Sequence, residues 1–143
     1  MAIAVALMLA AAAGTGTLTI DVGNVRSNKG KVHLDVCPQS LFLKDGCPYS
    51  TETPAHEGQV TLTIENLPPG HYAIQAFHDE NDNRHVDRGL FGIPTEGVGF
   101  SRDARIVLSP PKWDDAVFDF DGKATQTALK MRYFTGRKGP PAR

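Results

Sequence analysis

The stretch from His78 to Asp87, His-Asp-Glu-Asn-Asp-Asn-Arg-His-Val-Asp, is the densest run of chemically capable side chains in the sequence. Asp79, Asn81, Asn83 and Asp87 fall at relative positions 1, 3, 5 and 9. Calcium loops use that spacing because alternate side-chain oxygens turn inward around a hard cation, and the His85 carbonyl would stand at position 7. Two positions depart from the pattern. Position 6 is Arg84, where a tight loop prefers glycine, and position 12 is Leu90 rather than a bidentate carboxylate. Glu96 or a second loop would have to complete the shell. The candidate metal set is therefore Asp79, Asn81, Asn83, His85 and Asp87, with calcium as the fitting ion. The alternative is a solvated turn in which Asp and Asn bond their own backbone.

The next stretch, Gly89 to Ser101, is long, glycine-rich and apolar, and shows no strand period. Loops of this length generally bind something or pack as a cover. Its Phe91, Ile93, Glu96 and Phe100 form a candidate ligand loop. His78 and His85 with Asp79 offer a second chemistry, a small periplasmic hydrolase or a copper or zinc site, provided they converge in a pocket. His33 lies on the polar side of an alternating segment and reads as solvated. Ser101 is near Asp103, but no serine has the strand–turn–helix setting of a nucleophile elbow. No catalytic residue is assigned.

The elements that must position these groups are strands. Leu18, Ile20 and Val22 alternate with polar residues, as do Val32, Leu34 and Val36, and Val60, Leu62 and Ile64. Such alternation puts one face on a core and the other in water. Tyr72–His78 is a fourth strand, with Phe77 on the face opposite Tyr72, Ile74 and Ala76. Arg105–Leu108, Ala116–Phe120 and Thr127–Tyr133 bring the set to about seven. Ser27-Asn28-Lys29-Gly30 reads as a tight hairpin between the first two strands. Leu67-Pro68-Pro69-Gly70 reads as a sharp corner between the third and fourth. Asp45 to Glu57 reads as a loop. Tyr72, just after that corner, is expected to bond its phenol back to the corner backbone. The pattern predicts an all-β fold, a single antiparallel β-sandwich of immunoglobulin-like or transthyretin-like type.

The chain has 143 residues, with 15 Lys and Arg against 16 Asp and Glu, a net charge of -1. This balance gives no basic stripe and points away from nucleic acid. Residues 1–13 contain an uncharged apolar run too short to span a bilayer. They have the length of a signal-peptide core, with Ala11 and Ala13 at the cleavage positions. The reading is a signal peptide at 1–13, a sandwich domain at 14–135 and a disordered tail at 136–143. The product is expected to be periplasmic or secreted, with no membrane span after cleavage. Cys37 and Cys47 are the two cysteines, and in an exported chain they are expected to form a disulfide.

Leu67-Pro-Pro-Gly-His-Tyr-Ala-Ile, Phe77-His-Asp-Glu-Asn-Asp-Asn and Leu90-Phe-Gly-Ile-Pro-Thr-Glu-Gly-Val-Gly-Phe-Ser, in that order, resemble the bacterial domain-of-unknown-function 2141 family. Gly30-Lys-Val-His-Leu-Asp-Val and Pro110-Pro-Lys-Trp-Asp-Asp-Ala-Val-Phe carry the same likeness. The resemblance covers roughly Thr17 to Tyr133. It implies an exported, uncharacterised protein and no assigned activity or cofactor. In the family glycine is common where Arg84 stands, so the resemblance implies a degraded cation loop here. The expectation from residues and resemblance together is a non-enzymatic module that binds a small ligand or an envelope protein, with calcium stiffening the Asp79–Asp87 loop.

Overall fold

In a computed structural model, the residues described are 14–86, 93–107 and 109–142. Alternating segments become strands wherever two apolar faces can be brought together. β1 (Gly16–Val25), β4 (Gly58–Leu67) and β8 (Thr125–Lys130) form one sheet in the order β4-β1-β8. β2 (Lys31–Cys37), β3 (Tyr49–Pro54), β5 (Gly70–Asp79) and β6 (Gly97–Phe100) form a second in the order β3-β2-β5-β6. A short strand, β7 (Phe118–Phe120), adds to the opening residues of β5. The fold is all-β and sandwich-like, as the alternation predicts. Leu18, Ile20, Val22 and Leu62 of the first sheet pack on Val32, Leu34, Val36 and Ile74 of the second in one buried cluster. All strand pairs are antiparallel except β1 with β8, which run parallel.

Several expectations are corrected by this topology. The Ser27–Gly30 segment is not a hairpin, because β1 and β2 lie in different sheets and face each other across the core. Gly30 is needed for another reason. It sits at φ +65°, and a Cβ there would collide with the Asp79 carbonyl at the end of β5. The Asp45–Glu57 region is not all loop, since it contains β3. After Tyr49, which packs on the core, that strand carries threonine inward and so lacks the apolar alternation that marks a half-buried strand. Arg105–Leu108 is not a strand over its described residues. Ala104 and Ile106 instead pack into a covering segment while Val107 is 67 % exposed. Leu108 itself lies outside the described residues. Trp113–Ala116 forms a single helical turn, α1, before β7.

β6 was hidden in the glycine-rich stretch. Gly97 and Gly99 take its inward positions, where a Cβ would meet the Tyr133 ring and the Leu129 side chain respectively. Residues that would have shown a strand period are thus excluded by close packing. Beyond β8 the chain reaches β6, and Val98 and Arg132 exchange backbone hydrogen bonds of 3.0 and 2.8 Å. This closes one side of the sandwich.

The Pro-Pro-Gly corner carries the chain from β4 in one sheet to β5 in the other. Tyr72 donates its phenol to the Pro68 carbonyl at 2.8 Å, as expected for a corner tyrosine. Cys37 and Cys47 form the disulfide. The outer face of the second sheet is only half covered. Phe42, Ala73, Phe100, Ala104 and Ala116, with Trp113 and Ile106, make a second small cluster over one half. Where that cover ends, the face opens.

Candidate functional site: a groove on the outer face of the second sheet

Two adjoining cavities, of about 400 and 320 Å³, occupy the open half of this face. They share Asp35, Asp45, Phe77 and Arg84, and so form one groove running across the strands. The larger part is polar, with His33 and Asp35 from β2, Ser50 and Glu52 from β3 and Asp79 from β5. The smaller part adds Leu43, Val98 and Phe100. Phe77 contributes to both parts, and its ring lies 5.1 Å from that of His33.

Strand register explains why the polar residues meet. β2 and β3 pair Asp35 with Ser50 and His33 with Glu52, and β2 and β5 pair His33 with Phe77 and Asp35 with Gln75. Side chains on one face of paired strands stand close enough to bond. His33 Nε2 lies 2.9 Å from Asp35 Oδ1, and Ser50 donates its hydroxyl to the same Asp35 oxygen at 2.8 Å. The Gln75 amide donates to the other Asp35 oxygen at 3.2 Å. The hydrogen bond to Asp35 raises the His33 pKa, outweighing burial, and Glu52 beside Nδ1 adds to the effect. Burial opposes the charge on Asp35, but hydrogen bonds from His33, Ser50 and Gln75 outweigh it and hold its pKa low.

This arrangement is not that of a hydrolytic triad. Asp35 and Ser50 both approach Nε2, with Ser50 Oγ at 3.2 Å, and the serine proton is turned to the carboxylate. With Nε2 facing the same Asp35 oxygen that takes the serine proton, His33 is not placed to accept that proton from Ser50.

Two segments wall the groove. On one side, Gln75 accepts from the Leu43 backbone N–H at 2.7 Å and donates to the Lys44 carbonyl at 3.0 Å. The disulfide anchors the same segment. On the other side is the turn after β5. Asp79 is 3 % exposed, and its two carboxylate oxygens accept the backbone N–H groups of Asn83 and Arg84 at 3.1 and 2.7 Å. Asn83 accepts from the His85 N–H at 3.0 Å, and Asp82 and Arg84 adopt positive φ. The turn is therefore shaped by its own Asx hydrogen bonds.

The residues singled out by sequence are distributed as follows. Asp79, Asn81, Asn83 and His85 lie in this turn, while Asp87 and Phe91 fall outside the described residues. Glu96 is buried, with its carboxylate accepting the Glu80 backbone N–H at 2.6 Å. Phe100 packs edge-on to Phe42 and lines the groove, whereas Ile93 is 46 % exposed. Ser101 is buried in structural work, accepting from the Ile74 N–H and donating to the Ala116 carbonyl. Asp103 accepts the Lys130 backbone N–H.

The structure does not bring His78 and His85 together. His85 borders the groove, but His78 is fully buried and lines neither cavity. Its Nδ1 is 2.9 Å from the Tyr133 hydroxyl and its Nε2 is 2.7 Å from the Lys29 carbonyl. Burial lowers its pKa, so it is neutral, with Nε2–H donating to Lys29 and Nδ1 accepting from Tyr133. The Tyr133 oxygen in turn accepts the Arg26 backbone N–H at 3.0 Å, and burial pushes that phenol up to about 12. The Arg26 guanidinium lies over the Tyr133 ring and pairs with Glu80, whose other oxygen accepts from Ser27. This network, missed in the sequence, fixes the base of the Asp79 turn to β1. Beyond it, the carbonyls of Arg137 and Lys138 accept from Arg26 and Asn24. Among the described residues, the one group of three metal-capable side chains within reach of a common ion is Asp35, Cys37 and Cys47, and its two sulfurs are joined to each other. No helix among the described residues is long and apolar enough to cross a membrane.

No curated protein and no solved structure matches the chain. A family model does, over residues 20–128, a span that runs from within β1 to within β8 and includes the Asp79 turn and the groove. The chain belongs to the family described as "Uncharacterized protein conserved in bacteria (DUF2141)".

Proposed function

We propose that the chain is an exported, non-enzymatic binding domain whose ligand lies in the groove across β3, β2, β5 and β6. The observation that carries this reading is the groove itself. It is a cleft of ligand size, with polar side chains held in fixed positions and one aromatic ring at its centre. The leader-like residues 1–13 and the disulfide support export to an oxidising compartment.

The lining favours a small cationic ligand rich in hydroxyls, of the amino-sugar class. Over the whole groove the four carboxylates of Asp35, Asp45, Glu52 and Asp79 outnumber the two cations, Lys44 and Arg84, with His33 and His85 beside them. Carboxylate, imidazole and serine groups suit a rim of hydroxyls, and the Phe77 ring suits the apolar face of a sugar ring. Because the Asp79 turn is held by its own hydrogen bonds, the reading does not depend on calcium. Calcium would add stiffness only if further ligands, such as Asp87, joined the loop.

A titration with glucosamine oligomers, followed by the fluorescence of Trp113, tests the reading. Trp113 is the single tryptophan and packs 5.8 Å from Phe42, beside the groove-wall segment. A saturable signal, weaker for N-acetylated oligomers and lost in Phe77→Ala, is the expected result. Equal binding of both forms would remove the cationic class, and no binding of either would remove the amino-sugar reading.

A further inference from the structure

Most strand edges in the described residues are protected. β3 is short, carries Glu52 and is bounded by Pro48 and Pro54. Val98 of β6 is bridged to Arg132. Beside β8, the Ser101–Asp103 turn gives its Asp103 carboxylate to the Lys130 N–H. β4 differs. It is 10 residues long, pairs only with β1 among the described residues, and contains a single charged residue, Glu65. Natural sheets usually guard such an edge with charges, proline or a short length, because its free N–H and C=O groups template another strand.

We propose that this edge is an interaction surface and that its partner is a second copy of the chain, joined β4 to β4 in antiparallel fashion. The charge pattern of β4 suits pairing with itself. A two-fold axis at Leu62 would set Thr61 opposite Thr63, Gln59 opposite Glu65 and Val60 opposite Ile64. Every pair matches in polarity. Glu65 meets an amide rather than its own copy, the threonines form cross-strand pairs, and the apolar residues stay on the core face. Thr61, Thr63 and Glu65 are exposed, while Val60, Leu62 and Ile64 are buried, so both faces continue across the junction without a break. The result is a six-stranded sheet running through two sandwiches. This inference is independent of the ligand proposed for the groove.

Sedimentation equilibrium of the chain at up to about 100 μM, with circular dichroism to confirm folding, tests it. Wild type should dimerise. Thr61→Lys with Thr63→Lys sets lysines opposite each other twice and should give a folded monomer. Thr61→Lys with Thr63→Glu sets lysine opposite glutamate in the same register and should restore the dimer. A monomeric wild type, a dimer unmoved by the double lysine variant, or a lysine–glutamate variant that stays monomeric would each overturn the proposal.

Discussion

His33 and Asp35, two residues apart on the outer face of β2, meet with Nε2 and Oδ1 at 2.9 Å and form the polar centre of the groove. Because this contact raises the His33 pKa, it stabilises the fold fully below the ordinary histidine value of about 6.5 and fades as pH rises through the higher folded value. In His33→Gln, the decline in melting temperature as pH rises above about 6.5 should flatten relative to wild type. An unchanged slope in that window would mean that His33 is not held charged by its carboxylates.

His78 should act with the opposite sign. Its folded pKa is lowered by burial, so its contribution is present above about 6.5 and is lost as pH falls. Melting temperature should drop in wild type as pH falls below about 6.5, and this drop should shrink in His78→Gln. Tyr133→Phe leaves the Arg26 N–H and His78 Nδ1 without their shared partner. It should cost about 1–3 kcal/mol in urea unfolding.

Gly99→Ala should destabilise by about 1–3 kcal/mol, since the added Cβ meets both a Leu129 methyl and the Lys130 backbone carbonyl. The Lys130 carbonyl is backbone and cannot swing aside. Urea unfolding of Gly99→Ala beside Gly23→Ala checks the point. At Gly23 the nearest atoms stand 3.8 Å from a new Cβ, so that substitution should have a much smaller effect.

Removing the disulfide with Cys37→Ser and Cys47→Ser should cost about 2–3 kcal/mol, the magnitude expected for closing a short loop. The same change frees the segment that Gln75 pins beside the groove. Amide hydrogen exchange should therefore speed up at Leu43, whose N–H donates to Gln75. Exchange confined to the wild-type rate there would show that Gln75 alone holds the wall.

The sheet cores were legible in the sequence because Leu18, Ile20 and Val22, and their counterparts in β2 and β4, alternate without interruption. β3 and β6 were not legible, for opposite reasons. β3 turns threonine inward after Tyr49, and β6 gives its inward positions to glycine because Tyr133 and Leu129 fill the space. The groove followed the same limit. His33 and Asp35 share a strand face at a spacing of two, which was a visible signal, but their meeting with Ser50 and Glu52 depends on the register of a strand that read as loop. The Arg26–Tyr133–His78 network joins residues more than a hundred positions apart in its longest link and has no local signature.

If the protein binds a ligand, the groove across β3, β2, β5 and β6 is where it sits. Calorimetric titration of glucosamine tetramer into wild type, Phe77→Ala and Glu52→Gln measures this directly. The prediction is saturable binding to wild type, loss of it in Phe77→Ala and weakening in Glu52→Gln, with all three proteins folded. Saturable binding that both variants retain at full strength would contradict it, because the ligand would then lie elsewhere on the protein.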